Sequence, residues 1–169
     1  MDGAGLATAR TASSGMPAPA FACDAMLGGL ARWLRAAGYD ASFHPGIDDA
    51  ELVRLAHEQR RILLSCDAGI FQRAEVAAGE PRAIRLEPNR SPVAQLTHVL
   101  RTLGLGLGEP RCMACGGMLR DATAAEIAGA PERTRAITQR FWMCTGCGRL
   151  LWRGAHWRRI ERGLAEAVG

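Results

Sequence analysis

Two Cys-x-x-Cys-Gly motifs, "CMACGG" at 112–117 and "CTGCGR" at 144–149, carry the most specific chemistry in the chain. Two residues between cysteines let both sulfurs face one ion from a single tight turn, and the glycine that follows supplies the positive φ such a turn requires. Cys112, Cys115, Cys144 and Cys147 are therefore expected to form a tetrahedral four-sulfur site for Zn²⁺. Four thiolates close the coordination shell, which marks a structural rather than a catalytic ion. Iron accepts the same ligands, and two disulfides or redox pairs are the competing reading. The 28 residues between Cys115 and Cys144 exceed the usual ribbon spacing, which predicts a short hairpin or helical excursion around "DATAAEIAGAPER".

The second set of reactive residues is acidic. Asp24 and Asp67 each terminate a short apolar run, "PAFACD" and "RILLSCD". An ionised carboxylate at the edge of a core is costly unless it is paired, hydrogen-bonded or bound to a metal. Both stand where a parallel strand runs out, and open α/β sheets bind ligands in the crevice beyond those ends. Asp49, at the start of the helix after the intervening strand, is expected to reach the same crevice, with Asp48 its close competitor. Carboxylates gathered there raise one another's pKa and are best satisfied by a divalent cation. Oxygen ligands select Mg²⁺ or Mn²⁺, which also accept phosphate oxygens. The alternative is that each aspartate only caps a helix, since all three precede or open helical segments.

The elements that must position these groups alternate in type. "PAFACD" is a strand; "AMLGGLARWLRAAG" follows with Leu27, Leu30, Ala31 and Leu34 at helical spacing and Gly38 as its stop. "YDASFHP" is a second strand, "DDAELVRLAHEQ" a helix with acids at its positive end, "RILLSCD" and "AIRL" two further strands. "SPVAQLTHVLRTLG" closes the unit as a helix with Pro92 in its first turn. This rhythm predicts an α/β fold, a parallel sheet flanked by helices. The Gly-rich "GLGLGEP" at 104–110 marks a boundary, after which composition shifts to paired cysteines, tryptophans and arginines. The expected organisation is a flexible leader over 1–20, an α/β unit over 21–105 and a zinc-ribbon unit with a C-terminal helix over 110–165.

Composition narrows the partners. The chain has 169 residues and a formal net charge of +4, and all 21 of its basic residues are arginine. Arginine forks suit phosphate. Arg32 and Arg35, three apart on the first helix, are candidates to hold neighbouring phosphates, against the alternative of a solvated helix face. Trp152, Arg153, His156, Trp157, Arg158 and Arg159 interleave rings and charge as base-stacking surfaces do, though the rings are equally suited to packing the ribbon onto the first unit. His44, His57 and His98 stand isolated, and Cys23 and Cys66 look like small buried apolar groups. No apolar run approaches the roughly 20 residues that span a bilayer. The first 20 residues lack a secretion-type apolar core, so a cytoplasmic protein with no membrane partner is expected.

The stretches "FACDAMLGGLARWLRAAGYDASF", "DDAELVRLA", "RRILLSCD", "PRCMACGGML" and "FWMCTGCGRLLWRGAHWRRI", in that order from about Phe21 to about Leu164, resemble the Mut-seven C-terminal RNase family. The resemblance implies a PIN-like nuclease domain with an appended zinc ribbon and metal-dependent cleavage of RNA. It carries Asp24, Asp49 and Asp67 over as the catalytic Mg²⁺ or Mn²⁺ acids and the four cysteines as zinc ligands. Where the family has a Thr-Arg-Asp-like ending, this chain has Ser65-Cys66-Asp67, which keeps a hydroxyl and loses the basic residue. A fourth acid is common in such nucleases; Glu87, after "AIRL", is the candidate. The rival readings are a non-catalytic zinc-ribbon RNA-binding or ribosome-associated module, and a phosphatase-like enzyme acting through the same acids.

Overall fold

A computed structural model of the chain describes residues 17–169. Residues 1–16, most of the expected leader, lie outside the described residues. The first unit contains four parallel strands, β1 (Ala20–Cys23), β2 (Asp40–Phe43), β3 (Ile62–Ser65) and β4 (Ala83–Arg85), in the order β2-β1-β3-β4. β1 therefore lies between the strand that follows it and the strand after that. The connection out of β1 runs to β2 on one side and that out of β3 runs to β4 on the other, so β1/β3 is the switch point of the sheet.

Side chains that alternate along the strands feed two cores. Phe21, Cys23, Leu64 and Ile84 face one side, with Leu30, Ala31 and Leu34 of α1 (Gly28–Ala36) and Leu96, Val99 and Leu100 of α4 (Pro92–Leu103). Ala22 and Leu63 face the other, with Leu52, Val53 and Ala56 of α2 (Asp49–Glu58), Ile70, and Val76 of the short α3 (Ala74–Ala77). The helix ends follow their caps. The Asp48 carboxylate accepts the Glu51 N–H at 2.9 Å to open α2, and the Ser91 hydroxyl accepts the Ala94 N–H at 3.2 Å to open α4 ahead of Pro92.

The second unit is a three-stranded antiparallel sheet, β5 (Leu119–Asp121), β6 (Phe141–Cys144) and β7 (Leu150–Trp152). The predicted excursion between the cysteine pairs is helical: α5 (Ala124–Ala128), opened by a Thr123–Glu126 capping box, and α6 (Glu132–Ile137). The two units are not independent. The closing helix α7 (Ala155–Val168) returns to the first core, where Ile160, Leu164 and Ala167 are buried. It lies so near α1 that a Cβ at Gly163 would run into the Trp33 ring.

The expected Gly-rich boundary is likewise held in place. Gly108 donates to the Ala37 carbonyl at 2.8 Å, and the Tyr39 hydroxyl donates to that of Gly106.

Candidate active site and metal centre

Asp24 follows β1 directly and is 7% exposed. It occupies the cap position of a 3-10 turn, Ala25–Leu27, yet its side chain makes no capping bond. The carboxylate instead takes a 2.5 Å hydrogen bond at Oδ2 from the Ser65 hydroxyl, across the β1/β3 pair. The same Ser65 Oγ accepts the Asp67 N–H at 2.9 Å, and Asp67 Oδ1 accepts the Gly69 N–H at 2.8 Å. One buried hydroxyl thus ties both strand-end acids to the switch point. Among the described residues, Asp24 Oδ1 and Asp67 Oδ2 have no hydrogen-bond partner. Each acid keeps one oxygen for another ligand. Ser65 is absent from the sequence-derived acid set, although its position, a hydroxyl inside a buried run just before an aspartate, was the available signal.

The three expected acids do not gather into one tight cluster. Among the described residues, the four cysteines are the one group of three or more His, Cys, Asp or Glu side chains close enough to share an ion. Asp49, at the first position of α2, is half-buried, and Asp24, Asp49 and Asp67 do not together form such a group. Asp48 spends one oxygen, Oδ1, on the cap of α2, as Asp67 spends its own Oδ1 on Gly69. Glu87 follows β4 but is exposed and paired with Arg90 at 2.5 Å, which holds its carboxyl below the usual range. Beside the acids, burial pushes the Cys23 thiol up to about 12 and also raises that of Cys66, so both stay protonated and apolar in character at neutral pH. The buried Gln95 carboxamide, on α4, donates to the Glu87 carbonyl at 3.2 Å and lies 3.8 Å from Cys66 Sγ.

The four cysteine sulfurs lie within 4.8 Å of one another, with Cys112 to Cys147 at 3.8 Å and Cys115 to Cys144 at 3.4 Å. A tetrahedron with Zn–S bonds of about 2.3 Å spaces its sulfurs by about 3.8 Å. The donor set and its spacing fit a metal such as zinc. Both turns have the expected form, with Gly116 at φ 83° and Gly148 at φ 64°. Main-chain N–H groups support the sulfurs, Gly117 to Cys115 and Gly146 to Cys144, each at 3.4 Å. Burial opposes ionisation of Cys144, yet the N–H groups of Cys147 and Gly146 and the neighbouring thiols bring it down to about 7. One thiolate is therefore easily formed, the state that metal capture requires.

The family model of the Mut7-C RNAse domain matches residues 19–164, both units together. The chain belongs to that family. No curated protein and no solved structure matches it. Membership makes this a ribonuclease-type domain, and its acids and its cysteines occupy opposite edges of the parallel sheet. Asp24 stands at the carboxyl edge, and α1 then runs back to Arg35, which bonds the Ala41 carbonyl near the start of β2. At about 1.5 Å per residue the interval from 24 to 35 is on the order of 16 Å.

Arg35 corrects an expectation. It is 5% exposed, and its donors go to the carbonyls of Ala41, Met113 and Ala114, so this Mut7-C domain uses it as an internal joint and not as a phosphate ligand. Arg32 is exposed. The tryptophans divide in the same way. Trp157 packs against the first core and Trp142, with ring centroids 6.5 Å apart, while Trp152 remains 37% exposed. Among the described residues no helix is long and apolar enough to cross a membrane.

Proposed function

We propose that the protein is a metal-dependent ribonuclease whose reaction takes place at the carboxyl edge of β1 and β3. The observation that supports this most directly is the Asp24–Ser65–Asp67 arrangement at the switch point, with one uncommitted oxygen on each acid. Asp24 and Asp67 would hold Mg²⁺ or Mn²⁺, which binds through one or two carboxylates and keeps its remaining positions for water and phosphate oxygens. Such an ion, when bound, neutralises charge on the scissile phosphate and makes a water a stronger nucleophile for in-line displacement. Ser65 fixes the rotamer of Asp24 and the start of the Asp67 turn, so the acids are oriented before substrate arrives. In this reading Asp49 takes an outer role, through water.

RNA is the substrate in this reading. Arg32 on α1 and the exposed Arg158, Arg159 and Arg162 on α7 supply positive charge on helices that pack together, and Trp152 offers an exposed ring on the ribbon. The four-cysteine centre, in our reading a zinc site, holds the ribbon in shape and takes no part in the chemistry.

The test is cleavage of end-labelled single-stranded RNA by the purified full chain with Mn²⁺, with Mg²⁺ and with neither, beside DNA and nucleotide phosphates. Metal-dependent turnover of RNA supports the proposal. Salt-sensitive RNA binding with no turnover under any ion would replace it with a binding module, and turnover of nucleotide phosphates alone with a phosphatase.

A further inference from the structure

Arg35 is a buried cation with no carboxylate in ion-pair contact among the described residues. Its bonds are to main-chain carbonyls: Nε to Ala41 at 2.9 Å, Nη1 to Met113 at 3.1 Å and to Ala114 at 2.9 Å. Among the described residues no carboxylate lies within ion-pair distance of it; Asp40, on the adjoining strand, is taken by Arg61 at 3.0 Å. A buried charge is costly unless an opposite charge compensates it.

Met113 and Ala114 are the two residues between Cys112 and Cys115, and a Cβ at Gly116 would come within 3.3 Å of Arg35 Nε. The guanidinium is therefore seated against the first cysteine turn. Four thiolates around one divalent cation leave a net negative charge beside a guanidinium that has no ion-pair partner of its own. Two further bonds lock the turn to the end of α1: the Arg111 N–H donates to the Arg35 carbonyl at 2.9 Å, and Arg111 Nη1 to the Gly116 carbonyl at 3.0 Å.

The geometry points to Arg35 as the positioning residue of the cysteine centre and as the link between that centre and the nuclease sheet. Its charge balances the thiolate shell, and its fork holds the Met113–Ala114 turn against β2. Metal loading and the packing of α1 on the sheet then stabilise each other. This rests on the reading that the cysteines take zinc. It extends that reading by giving the ribbon's metal a hold on the helix that begins four residues after Asp24. The outer partners of metal ligands have effects of about 10–100-fold on metal retention.

Two readouts decide it, neither of them catalytic. In hydrogen exchange on the full chain, with bound zinc counted before and after chelation, stripping zinc should raise exchange in α1 and β2 as well as across 112–147, and by more than in α2 on the other face of the sheet. A rise confined to 112–147, or one equal in α1 and α2, overturns the proposal. Arg35→Lys, which keeps charge without the fork, and Arg35→Met should release zinc to a chromogenic chelator about 10–100-fold faster than wild type. Release at the wild-type rate overturns it. If Arg35→Met does not fold, the lysine variant and the wild-type exchange still decide. A folded chain that takes up no zinc overturns both this link and the zinc reading, and the metal count distinguishes that outcome from a loaded centre that Arg35 does not influence.

Discussion

The Ser65 hydroxyl, on β3, donates to Asp24 Oδ2 at 2.5 Å and accepts the Asp67 N–H at 2.9 Å. The carboxylate of Asp24 and the main chain of Asp67, 43 positions apart in sequence, are thereby referred to a single atom with no freedom of its own, since Ser65 is 0% exposed.

Ser65→Ala should therefore impair both acids at once. The Asp67 N–H loses its acceptor, which costs about 1–3 kcal/mol of stability where water cannot replace it. Cleavage should fall by about 10–100-fold, as for other groups that orient metal ligands. Ser65→Thr keeps the hydroxyl and should retain most activity. Thermal melts and initial rates measured together separate the two effects.

Asp49→Asn should cost clearly less activity than Asp24→Asn, because the proposed site gives Asp49 only an outer role, through water. Initial rates over a Mn²⁺ titration check this. Equal losses would restore a three-acid site.

Asp40 contributes to stability in a pH-dependent way. The Arg61 guanidinium, first by its hydrogen bond and then by its charge, holds the Asp40 carboxyl below its ordinary value of 3.8. A depressed folded pKa means the stabilisation is present above 3.8 and is lost as pH falls through the lower folded value. Asp40→Asn should thus be less stable than wild type at neutral pH, and the gap should close on acidification. The partly exposed pair limits the effect to about 0.5–1 kcal/mol. Urea unfolding at a series of pH values measures it.

Cys144→Ser should abolish stoichiometric zinc binding and lower the melting temperature of the whole chain, because α7 carries the ribbon's end into the first core. Metal analysis and calorimetry test this. A separate, unchanged transition for the α/β unit would contradict it.

The alternation of strand and helix was legible because each strand carries its own apolar run and each helix a cap or stop. The cysteine turns were legible because their glycines are required by backbone geometry at 116 and 148. Arg35 was misread although its position held a warning: it follows Ala31 by four residues and therefore shares the buried stripe of α1, whereas Arg32 falls off it. Topology places Asp49 at the correct edge of the sheet but does not fix how far its side chain reaches, so its part in the site is not legible in the sequence. The return of α7 to the first core depends on which helix covers α1 and α4, a long-range choice that local periodicity does not encode.

The most direct test of the account is RNA cleavage in Mn²⁺ by wild type, Asp24→Asn and Asp67→Asn, each variant first shown to be folded by circular dichroism and to hold zinc. The account predicts that each variant loses more than the roughly 10–100-fold typical of groups that only orient metal ligands, with the zinc content unchanged. Cleavage at the wild-type rate by folded Asp24→Asn and Asp67→Asn would contradict it.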